Sequence, residues 1–222
     1  MNSKLRHPAS PRDMRGFSMI EMVAVVAIIM VMLGVAFMSL QPALKDAHAT
    51  NAYDMVLTQL RVARAKAVEN RQQYIVCFGV NTPTGAATPL GAPTARSIQI
   101  FQWPAGAAQS AAIQLSKIDL PTDIQFQALT GLPAAAPDGF GSGAVAIDFD
   151  RGVTPAVQNQ VMFLPDGSAR DTVGNLNSGI VYMAGQDVGS TRAITVWGAS
   201  GRIRGWRLTD ISPTATNPWA QI

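Results

Sequence analysis

The sequence predicts an α+β fold, a long N-terminal helix packed on an antiparallel β-sheet domain, and three observations lead there. An apolar run fills residues 17–40, a helical apolar stripe follows over 41–71, and short β-rich runs parted by Gly/Pro stretches occupy 72–208. The composition agrees. Of 222 residues, 48% are hydrophobic and 14% charged, which excludes a disordered chain and lies below the roughly one-quarter charged residues of an ordinary soluble domain.

The first element reads FSMIEMVAVVAIIMVMLGVAFMSL, with Glu21 its only ionisable side chain. At 1.5 Å per residue it makes a helix of about 36 Å, enough to cross a hydrocarbon core of about 30 Å. A secretory signal peptide would end in a small-residue cleavage pattern, and Ser39-Leu40-Gln41-Pro42 offers none. A core helix would show a polar face, and residues 22–38 show none. The run is therefore expected to span a membrane once. Lys4, Arg6, Arg12 and Arg15 put its N-terminal end on the cytoplasmic side, with the rest of the chain projecting outward. Glu21 has two readings: it reaches the interface and does nothing, or it pairs with a cation when subunits associate in the membrane.

Four of the 17 basic residues and one of the 14 acidic ones lie in 1–16, so the whole net charge of +3 resides there. The rest is neutral, and global charge gives no argument for a polyanion partner. Any such argument must come from a local patch.

From Pro42 the pattern is amphipathic: Ala49, Ala52, Val56, Leu60, Ala63 and Ala67 recur at spacings of three and four. This predicts an amphipathic stalk helix over 41–71, with Lys45, Arg61, Arg64, Lys66 and Arg71 mostly on its other face, a solvated surface or a ligand site. Strands are predicted at 73–78, 97–103, 113–120, 124–129, 145–149, 160–164, 179–183, 193–197 and 202–208. The segments 82–95 and 130–143 are rich in Gly, Pro and Ala and read as loops. Residues 209–222 read as a flexible tail that Trp219 could anchor. The lone Cys77, inside YIVCF, reads as a small core residue rather than a nucleophile.

Catalytic chemistry finds few residues to work with. Beyond residue 16 the chain has one histidine, His48, and its only glutamates are Glu21 and Glu69. A histidine zinc site, a Ser–His pair or a carboxylate pair is hard to build from these. Asp148, Asp150, Asp166 and Asp171 fall at turns without EF-hand spacing. No catalytic residue, metal site or cofactor is expected. One local patch remains, Gly201-Arg202-Ile203-Arg204-Gly205-Trp206-Arg207. If it is extended from Arg202 onward, Arg202, Arg204 and Trp206 share one face, suited to phosphate contact and base stacking. The alternative is an edge strand whose charges discourage aggregation.

Arg15-Gly16-Phe17-Ser18-Met19-Ile20-Glu21-Met22 resembles the type III signal of type IV pilins and type II secretion pseudopilins. LTQLRVARAKAVENRQQYIVCF, VMFLPDGSA at 161–169 and ITVWGASGRIRGWRL at 194–208 are similar to the GspH/FimT branch. The resemblance implies a leader over 1–16, cleavage between Gly16 and Phe17 by prepilin peptidase, and N-methylation of Phe17. It also implies a transmembrane helix over 17–40, with Glu21 meeting the N-terminal amine of a neighbouring subunit. Implied partners are other pilins or pseudopilins, the inner-membrane assembly platform and the lipid bilayer. The Gly-Arg-x-Arg motif adds DNA as a partner through Arg202, Arg204, Trp206 and Arg207, up to the alternative of a FimT-like DNA receptor. A membrane-anchored enzyme is the remote alternative. Met38 stands where many pilins carry a helix-kinking proline; the nearest here is Pro42.

Overall fold

The computed structural model describes residues 18–80, 83, 90, 94–141, 143–149, 159–212 and 215–222. The expected leader, Gly16, Phe17 and most of the 82–95 loop lie outside them. The chain forms two compact units, Met1–Pro42 and Ala43–Ile222.

One helix, α1 (Met19–Asn70), contributes to both. In the first unit every described side chain is exposed, from Met19 and Ile20 to Phe37 and Leu40. This segment is long and apolar enough to cross a membrane. Pro42 cannot donate the helical bond to the carbonyl four residues back, and the boundary between the units follows it.

In the second unit the character of α1 reverses. Ala49, Ala52, Tyr53, Val56, Leu57, Leu60, Ala63 and Ala67 are buried, the expected stripe plus two bulky neighbours. The helix stops where Arg71 takes the left-handed conformation (φ 53°), one residue past Asn70.

Among the described residues eleven strands follow: β1 (Gln73–Phe78), β2 (Ser97–Trp103), β3 (Ile113–Asp119), β4 (Gln125–Phe126), β5 (Ile147–Asp148), β6 (Gln160–Phe163), β7 (Ala169–Arg170), β8 (Gly179–Ala184), β9 (Arg192–Val196), β10 (Ile203–Leu208) and β11 (Trp219–Gln221). They pair antiparallel into two sheets, in keeping with the expected antiparallel β-sheet domain. One has the order β3-β2-β1-β6-β7; the other has β11-β10-β9-β8-β4, with β5 also on β8.

Alternation along the strands places buried side chains on both faces of each sheet. From β1, Tyr74, Val76 and Phe78 join the α1 stripe in the main core, with Val181 and Met183 of β8 and Ile194 and Val196 of β9. Ile75 and Cys77 face the other way, onto Phe101, Ala112 and Met162. On the far side of the second sheet, Ile180, Tyr182 and Ala193 pack under Phe140, with Ala128, Leu132, Trp206 and Trp219 partly buried there. Segment 127–141 thus covers that outer face. This is why the strands expected at 124–129 and 145–149 shrink to two residues each: they pair with successive stretches of the same edge of β8, then leave it.

Two contacts fix α1 against β9 and β10. Gly205 lies opposite Ile194 and leaves a notch for the Tyr53 ring; a Cβ there would overlap the Tyr53 hydroxyl. Asp46 Oδ1 accepts from Arg192 Nη2 at 2.5 Å and lies 3.5 Å from Arg207 Nη2. Arg192 is only 1% exposed, so this carboxylate answers a buried cation.

The tail is not loose throughout. Its last strand, β11, pairs with β10, and Trp219 Nε1 donates to the Ala135 carbonyl at 2.9 Å.

Candidate functional site

Two regions carry the sequence-level candidates. In the first unit, Glu21 sits exposed in the first turn of α1, three residues after Ser18, whose carbonyl accepts its N–H at 3.0 Å. The cleavage pair Gly16 and Phe17 lies outside the described residues.

The second region is the β9–β10 turn. Gly201 has φ +58°, and a Cβ there would overlap the Gly167 carbonyl oxygen, so two backbones meet where only glycine fits. Gly167 belongs to the Pro165-Asp166-Gly167 turn between β6 and β7. Asp166 caps that turn, accepting from the Ser168 hydroxyl (2.6 Å) and N–H (2.8 Å). These bonds hold its carboxyl below the usual range. Arg64 of α1 ties the two turns together: Nε donates to Gly167 O (3.2 Å) and Nη2 to Ser200 O (3.0 Å). Beside this junction opens a groove of about 890 Å³ lined by Arg61, Arg64, Val68, Glu69, Arg202 and Ile203, among others.

The expected common face of Arg202, Arg204 and Trp206 does not form. The strand begins at Ile203, after the left-handed Gly201, and Arg202 turns to the groove with Arg61 and Arg64. Arg204 and Trp206 lie on the outer face of the second sheet, beneath segment 127–141. There Asp138, itself left-handed (φ 53°) and 6% exposed, accepts from Arg204 Nη1 at 2.7 Å, from the Thr195 hydroxyl at 2.6 Å and from Trp197 Nε1 at 3.1 Å. Trp206 Nε1 donates to Thr195 Oγ1 at 3.0 Å, closing the network. The Arg204 guanidinium also stands 5.9 Å from the Trp197 ring centroid and is 23% exposed. Arg204, read from sequence as a phosphate contact, is instead mostly covered and paired with Asp138. Arg207 is exposed and shares Asp46 with Arg192.

Sequence reasoning missed Asp138, which lies 66 residues from Arg204 in a Gly/Pro-rich loop that has no periodic signal. It also missed the meeting of Arg61 and Arg64 with Arg202. Their i, i+3 spacing placed the helical pair on one face, but nothing local named the turn they meet. Cys77 is fully buried, and burial pushes its thiol pKa up, in keeping with a core residue. Among the described residues no group of three or more His, Cys, Asp or Glu is placed to hold a metal ion.

Residues 11–37 match the family model of the prokaryotic N-terminal methylation motif, so the chain carries a prepilin-type methylation signal ahead of its apolar helix. Among solved structures, the chain is similar to the minor pseudopilin EpsH from the type 2 secretion system of Vibrio cholerae, at 13% identity and TM-score 0.44, covering 73% of this chain and 99% of that one. It is also similar to the type IV minor pilin FimU of Pseudomonas aeruginosa, at 13% identity and TM-score 0.39, covering 70% and 90%. No curated protein matches the chain in sequence.

Proposed function

We propose that this chain is a minor pilin or pseudopilin, a structural, non-catalytic subunit of a type IV pilus or type II secretion pseudopilus. One observation carries the reading. A methylation motif at 11–37 takes in the start of a helix, Met19–Asn70, whose exposed apolar first half suits a bilayer and whose second half packs into the core of a β domain. In this reading the chain is anchored once in the bacterial inner membrane with its N-terminus in the cytoplasm, and prepilin peptidase removes residues 1–16 and methylates Phe17. Other pilins and the assembly platform are its partners. Intact-mass and N-terminal analysis of membrane-extracted protein from a host with prepilin peptidase tests this. The expected product starts at N-methyl-Phe17; an intact Met1 or a start beyond Leu40 contradicts the reading.

A second reading, nucleic-acid binding, is favoured by the exposure of Arg202 and Arg207 at the Gly-Arg-x-Arg segment. Arg204 and Trp206, the other residues of that reading, are engaged by Asp138 and Thr195 and would need to exchange those partners to take part.

A further inference from the structure

We propose that the groove between α1 and the β9–β10 turn is a phosphate-binding site for the nucleic-acid backbone, with Arg61, Arg64 and Arg202 as its cations and Arg204 outside it. The inference rests on the nucleic-acid reading and moves its site from the outer strand face to the α1-facing side of the turn.

The charge balance directs it there. Arg204 is ion-paired with Asp138 and Arg207 with Asp46. Arg202, by contrast, is exposed and has no carboxylate partner among the described residues, and the same holds for Arg61. Arg64 is held by two backbone carbonyls, which leave its positive charge uncancelled and its guanidinium already oriented. Three guanidinium groups thus meet a single carboxylate, Glu69, in one groove. Val68 and Ile203 give it an apolar wall against which arginine stems can lie. No aromatic side chain lines it. Contact is therefore through phosphates alone, without base stacking, and duplex and single strand should bind alike.

The test is a fluorescence titration of the full chain in non-ionic detergent with labelled single- and double-stranded oligonucleotides over a range of salt. The leader cations are common to all variants and cancel in comparison. Arg61→Ala with Arg202→Ala should weaken low-salt binding at least about tenfold. It should also flatten the log K against log salt slope by about 1.8 on duplex and about 1.4 on single strand. Glu69→Gln should tighten binding, and both variants should melt like wild type because the replaced side chains are exposed. A double variant that binds like wild type overturns the groove alone. A single-strand preference of about tenfold or more points to stacking on Trp206 and also overturns it. Displacement of the oligonucleotide by polyglutamate as readily as by polyphosphate assigns the groove to an acidic protein instead. If wild type binds no oligonucleotide, the nucleic-acid reading falls with it.

Discussion

Gly201 shows how much one hydrogen atom can decide. Its left-handed φ and the approach of the Gly167 carbonyl both forbid a side chain, and Arg64 then laces the two turns together. Gly201→Ala should lower stability by about 2 kcal/mol or more, from left-handed strain plus the overlap, read as a fall in melting temperature by circular dichroism. The glycine of the Gly-Arg-x-Arg segment thus has an architectural reason to be there, whatever the arginines bind. The arginines were only partly legible in sequence. Strict alternation from Arg202 put three side chains on one face, but alternation holds only inside the strand, and Gly201 turns the chain just before it starts. Asp138 was invisible because an acid in a Gly/Pro-rich loop names no partner; only the covering of the second sheet brings it to Arg204.

Among the elements, β11 and segment 127–141 depend on one another. Trp219 donates to the Ala135 carbonyl and its ring lies 5.8 Å from that of Tyr182. Trp219→Ala should cost about 1–2 kcal/mol, since a partly buried aromatic and one hydrogen bond are lost. Hydrogen exchange should show faster amides in both β11 and 130–141, whereas loss confined to β11 would contradict the coupling. Strands β1 and β2 were readable to the residue, β1 from its continuous apolar run YIVCF and β2 from Ile98 and Ile100 alternating with polar residues and followed by Phe101 and Trp103. Strands β7 and β11 were not, since two or three residues carry no period. The strand order was not legible either, because pairing is settled by contacts between distant strands such as β1 and β6.

Under the proposed function, one sequence has to satisfy two solvents across the whole molecule. The alternating demands on α1, apolar all round before Pro42 and striped after it, were plain from sequence because each solvent imposes its own pattern. Glu21 is the exception in the apolar half. Under the proposed function, Glu21→Ala should leave insertion and cleavage intact but reduce co-purification with partner pilins by about tenfold or more, the equivalent of losing some 1.4 kcal/mol of pairing. Unchanged co-purification would remove the assembly role. The notch at Gly205 has a mechanical consequence in a chain of this design. For α1 to slide along the β domain, the Tyr53 ring seated against Gly205 and the Asp46 carboxylate gripping Arg192 must yield together. A slip of one turn is about 5.4 Å, far more than either contact tolerates. The two contacts therefore resist such a slide jointly rather than one after the other.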